Sequence, residues 1–101
     1  MLRVYLAGPV SGPLAEGLDY KAPFAAAVDT LRGRGVEPVN PTDLDLGPDV
    51  SWDDYMRATQ DLQLTCSAIY LLPGWRDSRG ATVEYWVARA LGHRIYGSEL
   101  P

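Results

Sequence analysis

The chain has 101 residues, the size of one small domain spanning 1–101. Hydrophobic residues make up 47%, which excludes disorder, and 13 acids against 9 bases leave no basic stripe for a nucleic acid polymer. The single cysteine excludes an intrachain disulfide, and no apolar run approaches the ~20 residues of a membrane span, so the expected setting is cytoplasmic with no membrane partner.

Residues 2–7 (LRVYLA) form a short apolar run bounded by Gly8-Pro9, which reads as a buried strand with no signal-peptide pattern. Residues 8–16 are a glycine- and proline-rich loop. A helix is expected over 22–32, with Phe24, Val28 and Leu31 on one face, Pro23 in its first turn, and Gly33 and Gly35 at its exit. A second strand covers 36–39 and stops at Asn40-Pro41. The loop 40–50 is the longest irregular stretch. Ser51 begins a second helix, and Ser51-x-x-Asp54 has the spacing of a capping box with the shorter acid. Tyr55, Thr59, Leu62 and Cys66 are its expected inward stripe. Residues 68–72 (AIYLL) are almost continuously apolar, as in a central parallel strand covered on both faces. A third helix is expected over 79–91, stopped by Gly92, and a last strand over 93–96.

The order β-α-β-α-β-α-β predicts a parallel sheet with right-handed crossovers. Ligands in such sheets bind outside the carboxyl ends of the strands, at a topological switch point. Those ends carry residues 8–12, 40–50 and 73–80. On the third helix Glu84, Val87, Ala88 and Leu91 share a stripe in which the first member is a carboxylate. Near the helix N-terminus the dipole favours its ionised form, and at a switch point it can serve as nucleophile or base. The same spacing also fits a solvated first-turn glutamate.

The loop Gly8-Pro9-Val10-Ser11-Gly12 lets backbone N–H groups approach an anion, though an ordinary tight turn has the same composition. It lacks the dinucleotide and Walker patterns, and no cofactor is implied. Ser78-Arg79-Gly80 places a hydroxyl, a guanidinium and helix N–H groups together, as a phosphate site or as a simple N-cap. Trp75 can stack on a base or cover a hydrophobic edge. Tyr85 and Trp86 read as core or interface. His93 has no companions at metal-ligand spacing and reads as structural, and Cys66 as a small buried hydrophobe. Ser11 and Ser78 have no histidine in a triad-like context.

Three segments, VYLAGPVSG, SWDDYMRATQDL and AIYLLPGWRDSRGATVEYWVARALG, resemble the nucleoside 2-deoxyribosyltransferase-like superfamily. They are most similar to its short phage and bacterial branch with a domain of unknown function (DUF4406-like). The resemblance implies a flavodoxin-like or Rossmann-like three-layer α/β sandwich with about four parallel strands. It implies cleavage of the base–sugar bond of a nucleoside or nucleotide, a small-molecule partner. Glu84 matches the family's nucleophilic glutamate, and Tyr5 the tyrosine that orients it. The resulting glycosyl ester follows the logic of retaining glycosidases. Six residues before the nucleophile, the free-nucleoside transferases carry an acid, whereas the 5′-monophosphate glycosidases carry a serine. Here the residue is Ser78, followed by Arg79 and Gly80, so the implied substrate is a nucleoside 5′-monophosphate and the implied reaction hydrolysis. Gly8, Pro9 and Gly12 would share in phosphate binding and Trp75 in substrate binding.

One position departs from the family. Thr59 stands where relatives carry an aspartate that handles the proton of the leaving base, and Asp61 lies ~200° round the helix from it. Proton transfer of that kind contributes ~10²–10⁴-fold. The departure leaves open a non-catalytic nucleotide binder or sensor, or an interaction module with a vestigial pocket. A domain of this size buries only ~60–70% of its unfolded surface. With Trp86 on the third helix and the chain end at Pro101, this implies a homodimer or higher homo-oligomer whose neighbouring subunit completes the pocket.

Overall fold

The structure, a computed structural model, describes residues 1–97; Pro101, and the expectation resting on it, lies outside them. Four strands, β1 (Arg3–Ala7), β2 (Glu37–Val39), β3 (Ala68–Leu71) and β4 (Arg94–Gly97), make one sheet in the order β2-β1-β3-β4. All three pairings are parallel, with Tyr5 opposite Val39 on one side and Ile69 on the other. Burial explains why β1 and β3 hold the centre. Four of five β1 residues and three of four β3 residues are buried, as strands covered on both faces require.

Four helices connect the strands: α1 (Ser11–Ala15), α2 (Lys21–Gly33), α3 (Trp52–Gln63) and α4 (Arg79–Leu91). Phe24, Ala27 and Leu31 of α2 pack with Val4, Leu6 and Leu72 on one sheet face. On the other face Tyr5, Ala7, Ile69 and Leu71 meet Ala81, Tyr85 and Ala88 of α4. The period-two alternation of β1 thus feeds two cores, giving the expected three-layer sandwich. The chain runs from β1 to β2 in one direction and then returns past β1 to β3, so the switch point lies between the ends of β1 and β3. Gly8 lies at that point, where a Cβ would stand 2.8 Å from Leu72 Cβ. The radius of gyration of 12.7 Å matches the ~13 Å of a single body of 100 residues.

Several local expectations change. The loop after β1 contains α1, which buries no side chain and so leaves no hydrophobic period to read. Gly33 ends α2 from inside, and the left-handed residue of its exit is Gly35 (φ 76°). The buried residues of α3 are Met56, Thr59 and Gln63. Thr59 lies on the expected stripe, Leu62 packs against the core and Tyr55 is half-buried, whereas Met56 and Gln63 were not on it. Cys66 is buried but follows the helix. On α4, Glu84 and Ala88 of the expected stripe are buried and Tyr85 joins the core, whereas Leu91 is exposed. The Ser51 hydroxyl accepts from Asp54 N at 3.0 Å, whereas the Asp54 carboxylate pairs with Arg57, so half of the capping box forms. Short 3-10 turns at Pro41–Asp43 and Trp75–Asp77 lie in the loops after β2 and β3.

Candidate active site

Tyr5 points from β1 towards α3 and α4, and α4 returns Glu84 to meet it. The Tyr5 hydroxyl donates to Glu84 Oε2 inside the core. Glu84 is 5% exposed, which removes the solvated-glutamate alternative. It lies in the second turn of α4, beyond the reach of the helix-end field. Burial therefore decides its charge: the carboxyl pKa is raised to about 7 by desolvation, against the pull of the Tyr5 and Thr59 hydroxyls. The helix dipole expected to favour the ionised form does not prevail. Tyr5 itself is pushed well above the usual phenol range, first by burial and then by the adjacent carboxylate.

Two α3 residues complete the inner shell. Thr59 is fully buried, donates to the Met56 carbonyl at 3.2 Å, and lies near enough to Glu84 to lower its pKa. Gln63, also fully buried, donates from Nε2 to the Glu84 carbonyl at 2.8 Å and so ties α3 to the backbone of Glu84 itself. Asp61 is exposed and remote from this shell.

Glu84 opens onto a cleft of about 870 Å³ at the carboxyl ends of the strands. Gly8, Ser78 and Gly80 line it too, which brings the glycine loop and the Ser-Arg-Gly segment to one site. The Ser78 hydroxyl caps α4, accepting from Ala81 N at 3.2 Å. Arg79 stands at the rim, its guanidinium 3.8 Å from the centroid of the Trp52 ring, and Trp52 lines the cleft.

Six candidates are not among the residues that line the cleft: Tyr5 and Thr59, which are fully buried behind it, the exposed Arg79, and Gly12, Pro9 and Trp75. Gly12 is exposed in α1, and Pro9 packs near Gly74. Trp75 is 4% exposed and stacks on Tyr85 with ring centroids 4.7 Å apart, so it fills the core behind α4 rather than facing a base. Sequence reasoning missed Tyr20, Trp52 and Tyr55, which give the cleft an aromatic wall, and Asp43 and Asp45, on the long loop after β2. The strand-end rule had marked that loop, but its residues have no pattern of their own.

No curated protein matches the chain in sequence. Among solved structures, the CMP N-glycosidase BcmB of Clostridium botulinum is similar, with 24% identity and a TM-score of 0.62 over 94% of this chain and 69% of that one. The likeness is one of fold, a parallel four-stranded sheet between layers of helices. The family model described as a domain of unknown function, DUF4406, matches residues 2–96, and the chain belongs to the DUF4406 family.

Proposed function

We propose that the chain is an N-glycosidase that hydrolyses the base–sugar bond of a nucleoside 5′-monophosphate, with Glu84 as nucleophile. One observation carries the reading: a buried carboxylate, held by a tyrosine hydroxyl, faces a nucleotide-sized cleft at the switch point. The fold shared with a CMP N-glycosidase supports it. Glu84 attacks C1′ as the base departs, a glycosyl ester forms, and water releases the sugar phosphate. With a pKa of about 7, a substantial fraction of Glu84 is ionised near neutrality. Ser78, Gly80 and the α4 N-terminus offer donors to the phosphate, with Arg79 at the rim and Lys21 on the cleft wall adding positive charge.

Incubation with a panel of ribo- and deoxyribonucleoside monophosphates is expected to release free base, followed by chromatography. Glu84→Ala is expected to abolish release. Intact nucleotide across the whole panel with the wild-type protein would overturn this reading. A second reading, a binder that holds its nucleotide intact, is favoured by Thr59, which sets an alcohol rather than a carboxyl beside Glu84. Calorimetry with recovery of unchanged ligand would distinguish it.

A further inference from the structure

The departing base poses a chemical demand that the Glu84 shell leaves unmet. Breaking the C1′–N bond of a neutral base leaves an electron pair on a ring nitrogen, and a proton delivered to the base speeds its departure. The hydroxyl of Tyr5 is committed to Glu84 within the core. Thr59 is fully buried and gives its proton to the Met56 carbonyl. Ser78 sits at the α4 cap, on the side of the cleft where the helix N–H groups point. Asp43 and Asp45 lie on the exposed loop that forms the outer wall.

Tyr55 differs from all of these. It projects from α3 one turn before Thr59 and lines the cleft, half-buried. Its hydroxyl lies within electrostatic reach of both Glu84 and Tyr20. Among the described residues, no protein group is hydrogen-bonded to it. A donor facing a cavity with no protein partner is a donor available to a ligand.

We propose that Tyr55 is the second catalytic residue of this cleft, passing its hydroxyl proton to the departing nucleobase and recovering one from the attacking water. The proposal rests on the glycosidase reading. In the first step a Glu84 oxygen bonds to C1′, the C1′–N bond breaks with its electrons going to the base, and the Tyr55 proton follows them. In the second step water attacks C1′, the Glu84–C1′ bond breaks, and the water's proton returns to the Tyr55 phenolate. The sum is nucleotide plus water giving base plus sugar phosphate, with both residues restored.

The electrostatics fit this sequence. Burial, then the Glu84 charge and Tyr20, push the Tyr55 pKa up to about 12, so the phenol carries its proton when substrate binds. Formation of the ester removes the Glu84 charge, one cause of that rise. The phenol becomes a better acid as the base develops its need for a proton.

The test compares the wild type with Tyr55→Phe on the monophosphate it turns over and on an analogue with a better leaving base, a 5-halogenated pyrimidine or a 7-methylated purine. Tyr55→Phe is expected to lower kcat on the parent nucleotide by ~10²-fold. On the analogue the loss is expected to shrink to a few-fold, because its base leaves without help. An equal loss on both, or no loss on either, overturns the role of Tyr55 while leaving the glycosidase reading standing. Failure of the wild type on every monophosphate removes the glycosidase reading and the role of Tyr55 together.

Discussion

Glu84 is held where its charge is costly. Unfolded, its carboxyl returns to the ordinary value of 4.5; folded, it titrates near 7. Between those values the native state holds a proton that the unfolded chain has released. Stability is therefore fully present below pH 4.5 and falls as the pH rises towards 7, by up to ~3 kcal/mol, then levels off. Glu84→Gln keeps the shape and removes the titration. Chemical denaturation is expected to find this variant more stable than the wild type at pH 8, with the difference closing near pH 4. A wild type that is the more stable of the two at pH 8 would mean that the ionised carboxylate is better solvated than its burial implies. Helix spacing marked Glu84 in the sequence, and the family resemblance marked Tyr5 as its partner. They did not make Trp75 legible, because a loop position says nothing about which way a ring turns, and this ring turns into the core.

At the scale of elements, the site depends on how α3 is rotated against α4. Gln63 sets that rotation with an amide buried between the helices. Its own Oε1 accepts from Gln60 at 3.2 Å, so the amide is satisfied on both sides. Gln63→Ala is expected to cost ~1–3 kcal/mol by thermal or chemical denaturation, since it leaves a cavity and removes the tie to the Glu84 carbonyl. The strands, the α2 core face and the Ser51 cap were readable because each obeys a local rule: apolar runs, a 3.6 period, a hydroxyl before a helix. The inward position of Gln63 was not, since Gln63 is buried for its hydrogen bond to the Glu84 carbonyl rather than for hydrophobicity, whereas Thr59 fell on the expected stripe. The short α1 was hidden for the opposite reason, as it packs against nothing.

For the whole molecule, alternation of strands and helices announced a parallel sheet, but not that β1 would lie between β2 and β3. That order follows from which strands find cover on both faces, a property of the assembled layers. Cover is also uneven. Trp86 is 60% exposed, and Val83 beside it on α4 is exposed as well, so the outer face of this helix carries uncovered apolar side chains. On the reading that this surface is shared between copies, sedimentation of the wild type gives a dimer or larger species. Trp86→Glu is then expected to give a monomer with little change in intrinsic stability, since so exposed a side chain contributes within ~0.5 kcal/mol. A wild type that sediments as a monomer at high concentration would end that reading. The hydrogen bond between Tyr5 and Glu84 joins residues 79 positions apart. During synthesis the first of the pair leaves the ribosome long before the second exists. The innermost strand of the sheet is made before its neighbour β3, and its apolar face stays without that neighbour until residues 68–71 have followed. The nascent chain can join Tyr5 to Glu84 only after α4 has emerged, so this buried pair and the sheet that encloses it are completed together.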